Sequence, residues 1–536
     1  MSVIEPSTIG QNTDTSKVHS VLQKIATALG FLGLFIMVLA LANVTFPQKT
    51  LWLTVALGSI IIGIILYARD SYMHKPAGIQ WDGTWFKNIS NRGLWAWGLG
   101  IVLTAFYVVL YWFPQYLGFN DGQPNTGLVS FFDPLSYLIS GKPASQWFLY
   151  GSLYTIAILS FGYKFILKYR HNKYQVIRTC SIMFFQLGFA FLLPEILSNL
   201  NPDKPYFGDA KNMWPLNYYF FDKWHVEEMT NSGNFGMWML IIGLSMVFII
   251  SPILTYFYGK RWYCSWVCGC GGLAETAGDP FRHLSDKSEK AWKFERICIH
   301  AVLVFIFVTT VSVIYGYLHD EPDKFWLTKD VFIYGIVALL AFLTTTIYIF
   351  KKKSMDKDAI YTMVALCIIM IAVFFTNYTT GNGKIFFIDA EALKQWYGFA
   401  IGAMFSGVIG VGFYPIMGSR VWCRFGCPMA AVLGLQQRIF SRFRITTNGG
   451  QCISCGNCSN ACEMGIDVRA YAQKGENIVR SSCVGCGICS AVCPRGVLKL
   501  ENGKEEGRIT NNAVLLGNDA DIFGLLRAQE VKTDKL

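Results

Sequence analysis

Apolar residues along this chain gather into long runs, separated by short basic or aromatic stretches. Several runs exceed the ~18 residues that a helix needs to cross a bilayer. The pattern predicts ten spans, at about residues 25–44, 51–67, 94–113, 146–165, 176–197, 236–258, 297–317, 331–350, 359–377 and 399–417. The runs stop near residue 445 and give way to a small cysteine-rich segment, 446–500, and a polar tail, 501–536. The expected order is a cytoplasmic N-terminal segment (1–24), an α-helical polytopic membrane domain (25–445), the cysteine-rich domain and the tail.

Composition agrees with a membrane class: 53% of residues are hydrophobic and only 15% are charged. The first twenty residues are polar, include Glu5 and Asp14, and do not make a cleavable signal peptide. A net charge of +11 belongs to loops between spans and not to a nucleic-acid surface. With the N-terminus inside, Lys and Arg favour the inner loops by about two to one. Inner loops carry, among others, Arg69, Lys168, Arg170, Arg178, Lys260, Arg261, Arg282 and Arg296. This predicts a multi-pass protein of a bacterial cytoplasmic membrane, with both termini in the cytoplasm. Two outer loops are long. One, 114–145, holds Phe131-Phe132-Asp133-Pro134; the other, 197–234, holds Trp214, Tyr218, Tyr219, Phe220, Phe221 and Trp224. An aromatic belt at the interface is the preferred reading, against a docking surface for an outer-face partner.

Chemistry concentrates in the cysteines. Residues 452–462 and 483–493 each read C-x2-C-x2-C-x3-C, the bacterial run for a [4Fe–4S] cluster. The fourth cysteine of such a run commonly serves the other cluster. One set is therefore Cys452, Cys455, Cys458 and Cys493; the second is Cys483, Cys486, Cys489 and Cys462. Zinc favours separated C-x2-C pairs, and disulfides suit small secreted domains, so neither fits as well. Gly456, Gly485 and Gly487 leave room near the sulfides, and Ile453, Val468, Val484, Ile488 and Val492 supply an apolar shell. Glu463 stands where proline often follows the fourth cysteine, which re-polarises that turn without removing a ligand.

A second pattern, Gly-x-Arg-x2-Cys-x3-Cys, occurs twice: Gly259 to Cys268, with Arg261, Cys264 and Cys268, and Gly418 to Cys427, with Arg420, Cys423 and Cys427. Each copy begins where a span leaves the membrane on the inner side. If each pair occupies one helical turn, both thiols share a face. Two such pairs can hold one further cluster or form two dithiol switches; the bland alternative is cysteines packed as small hydrophobes. Each copy precedes a basic stretch, 281–295 or 429–444, expected on the bilayer surface with Arg438, Arg442 and Arg444 toward lipid phosphates. Cys270 adds a thiol to the first copy, and Gly269 replaces the proline found as Pro428 in the second.

Together these features resemble the membrane polyferredoxins of NosR/NapH/CcoG type. The likeness covers mainly residues 258–500. With the ten expected spans, the expected fold class is an α-helical polytopic membrane protein (about ten transmembrane helices) plus a small α+β domain that resembles the bacterial dicluster ferredoxins. NosR-type members imply an outer flavin domain and CcoG-type members a C-terminal outer domain; neither is expected here, so the NapH type is nearest. The resemblance implies an electron-transfer protein working between a quinol or cytoplasmic donor and a reductase or respiratory partner on either face. The alternatives are an assembly factor delivering electrons for metal-centre biogenesis, and a redox-regulated transporter. Against transport stand few intramembrane charges and no paired broken helices.

Other residues carry less. His300 and His319 lie near opposite ends of one expected span; polar helix ends or proton handling are preferred over haem, whose ligands usually come from two helices. Glu195 suits a quinol site or proton exit as well as an interfacial carboxylate. Cys180, Cys298 and Cys367 lie in spans as packing residues. No P-loop, dinucleotide glycine fingerprint or hydrolytic triad is present.

Overall fold

The computed structural model describes residues 20–73, 88–200, 220, 222–231, 233–259, 261–320, 322, 327–351, 357–448, 451–502, 515–516 and 520–521. Lys260, Trp214, Tyr218, Tyr219, Phe221 and most of the two termini lie outside them. Among the described residues, eight helices are long and apolar enough to cross a membrane: Val21–Leu41, Lys49–Tyr72, Leu94–Trp112, Lys173–Leu200, Gly236–Tyr258, Glu289–Asp320, Lys329–Thr346 and Ala359–Thr380. The other two expected spans take different forms. Gln146–Lys168 is one helix whose C-terminal end carries the buried Lys164 and Lys168. Ala390–Tyr397 runs into a π-helical stretch, Gly398–Ile409, then breaks before the short helix Tyr414–Met417.

Side-chain caps set several helix starts. Ser145 accepts from Phe148 N at 3.0 Å, and Asp389 from Ala392 N at 2.8 Å, each satisfying a donor that the helix leaves open. The loop 114–145 packs against the bundle as helices Gly127–Phe131 and Asp133–Ser140, with Phe131 and Phe132 buried. Asp133 pins it by accepting from Ala144 N at 2.8 Å and Asn125 Nδ2 at 3.0 Å. Phe220 is buried and Trp224 exposed. π-Helical stretches, which mark functional places more often than chance, occur at Met246–Ile250 and Gly398–Ile409. These two precede the Gly-x-Arg motifs; a third, Phe185–Leu192, lies within Lys173–Leu200 and leads into neither.

The C-terminal module is a small α+β unit. β1 (Phe443–Thr447) pairs antiparallel with β2 (Leu498–Asn502), so the sheet straddles the boundaries expected at 446 and 500. Arg444 lies within β1, buried, and donates to Ser441 O at 2.7 Å; it does not face lipid phosphates. Val468, Val484, Ile488 and Val492 are buried as expected, but Ile453 is exposed. One apolar core runs without a break from Trp262, Cys264 and Cys423 through Leu433 and Ile466 to Val484 and Leu498. The module is thus packed directly onto the end of the helical bundle that carries the two Gly-x-Arg motifs.

Candidate functional site

The two ferredoxin-type runs fold alike. Gly456 and Gly487, both left-handed, start the short helices Asn457–Asn460 and Ile488–Ala491. Asn460 N donates to Gly456 O, and Ala491 N to Gly487 O, both at 3.0 Å. The turns after them match as well, with Gly465 N on Cys462 O and Gly496 N on Cys493 O at 3.3 Å. Cys452, Cys455, Cys458 and Cys493 line one pocket, beside Arg469 and Arg495. In the other set, burial pushes the Cys489 thiol up, and Cys486, Cys462 and Cys483 crowd it further. No three His, Cys, Asp or Glu side chains among the described residues meet closely enough for a single ion. The first set of thiols instead rings a space, which suits a group of several atoms. Four thiolates so close repel one another unless a cationic centre lies among them, and a coordinating thiol is deprotonated outright.

The Gly-x-Arg motifs also fold as a pair. Neither Cys-x3-Cys stretch is one helical turn, contrary to the sequence expectation. A five-residue helix, Trp262–Trp266 or Val421–Phe425, ends between the thiols. Two successive amides close each turn on one carbonyl: Val267 N and Cys268 N on Tyr263 O, and Gly426 N and Cys427 N on Trp422 O, at 2.9–3.0 Å. Cys268 and Cys427 then cap the next helices, Gly269–Thr276 and Pro428–Phe440. Pro428 suits the first helical position, where its missing N–H costs nothing. Gly269 fills the same position because a Cβ there would stand 2.6 Å from Gln186 Oε1 and 3.4 Å from Tyr154.

The copies are interlocked. Gly259 (φ +42°) lies where a Cβ would strike Ser441 Oγ at 2.3 Å, at the end of the second copy's helix. Gly418 (φ +91°) lies likewise against Ser285 Oγ at 2.4 Å, beyond the first copy's helix. All four motif thiols converge. Burial pushes Cys264 up, and Cys268, Cys427 and Cys423 add to the shift. Cys268 differs: a hydrogen bond from the exposed Cys270 lowers it to about 6.

Each motif arginine reaches into the other copy. Arg261 donates from Nη1 to Cys423 O at 3.0 Å and from Nε to Ser481 O at 2.9 Å. Arg420 reaches Glu275 Oε2 at 3.2 Å from Nη2, and its Nη1 lies 3.9 Å from Cys423 Sγ. Glu275 and Gly434 stand seven residues after the second thiol of their copies. At this equivalent position the first copy therefore offers Arg420 a carboxylate, while the second has Gly434, close to Arg261 Nη2, and no carboxylate.

Glu275 also accepts from Arg178 at 2.6 and 2.5 Å and from Arg282 Nη2 at 2.6 Å. Asp279 takes Arg282 Nε at 2.9 Å and Lys168 Nζ at 2.6 Å. The network reaches the C-terminal module through Glu463, paired with Arg420 at 2.9 Å and Arg282 at 3.1 Å. Gln175, held by Arg178, donates to Cys486 O at 2.6 Å. The sequence did not disclose this network. Arg178, Lys168 and Arg282 stood among the loop charges that set orientation, and all three are buried against acids. The stretch from 281 is correspondingly not a surface helix at its start, since Phe281, Arg282 and Leu284 are buried. His300 lines a membrane-level groove, and His319 stacks on Tyr315. Cys180 is exposed on the bundle surface, and Cys298 and Cys367 are half-buried.

Membrane-length helices joined to paired cysteine runs define the class, a multi-helix membrane protein with iron–sulfur-type cysteine motifs. The comparisons with known proteins are specific to its parts. Residues 451–498 match the 4Fe-4S dicluster domain family, and residues 238–288 and 398–446 each match a 4Fe-4S binding domain family. The two latter segments contain the two Gly-x-Arg motifs. An Escherichia coli (strain K12) protein named as electron transport protein YccM is 25% identical over 225 residues. The alignment covers 42% of this chain and 47% of the relative, so the chain spans about half the length of that protein. No solved structure matches.

Proposed function

We propose that the chain is a membrane electron carrier with three [4Fe–4S] sites. Cys452, Cys455, Cys458 and Cys493 would hold one group, and Cys483, Cys486, Cys489 and Cys462 the second. Cys264, Cys268, Cys423 and Cys427 would hold the third. Such a group, when bound, takes up and releases one electron at a time. The third site rests on one observation, the state of Arg261. It is fully buried, it meets only backbone carbonyls, and its Nη2 has no hydrogen-bond partner. A buried guanidinium without a carboxylate is costly unless an anion lies beside it. Four thiolates bound to iron carry that negative charge, and Cys264, Cys423 and Cys427 all feel the Arg261 field.

The membrane partner we propose is a quinol. An open groove lies between Glu289–Asp320 and Lys357–Thr380, lined by His300, Val304, Phe305, Tyr361 and Thr362. Phe305 stacks on Tyr397 with centroids 4.8 Å apart, and Tyr397 Oη donates to Gly426 O at 2.8 Å, one residue before Cys427. Apolar walls suit a lipid-soluble ring, and the His300 imidazole can take its proton. The Lys and Arg bias supports a cytoplasmic C-terminal module, facing a soluble redox partner.

Iron counting on the purified chain tests the reading. Three groups require about twelve iron atoms per chain and two require about eight, at four per group. Cys264→Ala with Cys423→Ala should stop quinol-driven reduction of the C-terminal sites while both of their EPR signals persist. Eight irons in the wild type, or full turnover in the double variant, would return these motifs to a packing role.

A further inference from the structure

Glu463 directly follows Cys462, the thiol exchanged between the two ferredoxin-type runs. It is 0% exposed. Its backbone is fixed as well: Ser285 Oγ donates to Glu463 O at 2.6 Å. Its carboxylate is the one acid that the C-terminal module adds to the arginine network, on Arg420 at 2.9 Å and Arg282 at 3.1 Å. Arg420 in turn lies 3.9 Å from Cys423 Sγ. A continuous chain of contacts therefore joins two thiol sets, running Cys462, Glu463, Arg420, Cys423. Before Glu463 arrives, the helical bundle holds Arg178, Arg282 and Arg420 against Glu275 and Asp279, with Lys168 also on Asp279. Buried positive charge is in excess on the membrane side of this joint.

We infer that the Glu463–Arg420 ion pair is a positioning and charge-setting link between the Cys462 set and the Cys423 set. The inference rests on the electron-transfer reading above and adds residues that are not themselves ligands. Two physical effects follow from its place. The pair holds the guanidinium against Cys423 and anchors the Cys462 turn, so both sets keep their relative position. It also offsets part of the buried positive excess, to which Lys164 on Asp279 adds, and a charge buried near an iron–sulfur site moves its potential strongly in a low dielectric. Loss of the carboxylate leaves excess positive charge, which favours the reduced form on both sides. Loss of the guanidinium does the reverse. A residue with a structural role alone has no reason to give shifts of opposite sign.

EPR-monitored redox titration of the full purified chain tests this. Glu463→Gln should raise the midpoint potential of the signal that depends on Cys462, and Arg420→Gln should lower it. The double variant should return toward the wild-type value. Iron content is measured alongside. If a neutral variant loses iron, Glu463→Asp and Arg420→Lys, which keep the charges, decide the matter: restored iron with near-wild-type potentials supports the link. Unchanged potentials in the iron-replete neutral variants, or shifts of the same sign, would overturn it, as would equal shifts in the charge-keeping pair. The Cys462 signal exists with or without a third site. A wild-type count of eight irons therefore defeats the three-site reading without deciding this one.

Discussion

Glu275→Gln changes one atom in the most charged part of the interior. The carboxylate is 0% exposed and takes three hydrogen bonds at 2.5–2.6 Å from Arg178 and Arg282, and a fourth at 3.2 Å from Arg420. Glutamine keeps the shape and one acceptor but leaves three buried guanidiniums short of a counter-charge. Removing one partner of a buried ion pair costs about 3–5 kcal/mol. That is a roughly hundred- to several-thousand-fold fall in the folding constant, at 1.4 kcal/mol per factor of ten. Thermal unfolding of the purified chain in detergent, followed by tryptophan fluorescence, should show a clear drop in Tm. The exposed pair Glu289–Lys293, at 2.8 Å, serves as the contrast, and Glu289→Gln should leave Tm unchanged. The pH dependence follows from signs. Burial pushes the Glu275 carboxyl up, but Arg178, Arg282 and Arg420 outweigh it and hold it well below its ordinary value of 4.5. A depressed carboxyl contributes stability that is complete above its unfolded value and lost only as pH falls through the folded one. The gap between wild type and variant should therefore be constant from pH 5 to 8 and should close only in strong acid. Equal Tm values at pH 7, or a gap that narrows between pH 8 and 5, would show that the network carries little charge stabilisation.

Three further outcomes are expected. Cys493→Ala should damage the EPR signal built on Cys452, Cys455 and Cys458 and spare the one built on Cys483; the opposite loss would show the fourth thiols uncrossed. Gly418→Ala combines a left-handed backbone (φ +91°) with a Cβ 2.9 Å from Ser285 N, so it should destabilise by at least ~1–2 kcal/mol in the same unfolding assay, and wild-type stability would remove the interlock. A C-terminal alkaline phosphatase fusion should be inactive and a fluorescent-protein fusion bright; strong phosphatase activity would invert the topology.

Legibility followed sequence distance. The hydrophobic runs are local, and eight of them stand as membrane-length helices in the structure. The doubled cysteine spacing is local too, and it foretold that Cys493 would lie with Cys452, Cys455 and Cys458. The joint between module and bundle was not legible, because its partners are remote: Arg178 meets Glu275 across 97 residues. Arg178 and Arg282 have the composition of loop charges, and nothing local distinguishes a basic residue that binds an acid from one that faces water. Glu275 did leave a trace, as an acid among small apolar neighbours in Gly271-Gly272-Leu273-Ala274-Glu275. Glu463 left another, as a departure from the usual proline. The π-helical stretches had no signal, since a one-residue widening of the helix does not alter the hydrophobic pattern.

The reciprocal seating of Gly259 under Ser441 and of Gly418 under Ser285 also sets an order in time. Neither thiol pair has its final surroundings until both copies have left the ribosome. Cys264 is made 159 residues before Cys423. At about 5–20 residues per second, that is a wait of roughly 8–30 s, and the exchanged thiols near the C-terminus come later still. The first pair must therefore spend the interval as free cysteines at the membrane surface. Any group shared by both pairs can be bound only once residue 427 has been made, and a chain truncated before residue 423 would carry two thiols with nothing to share.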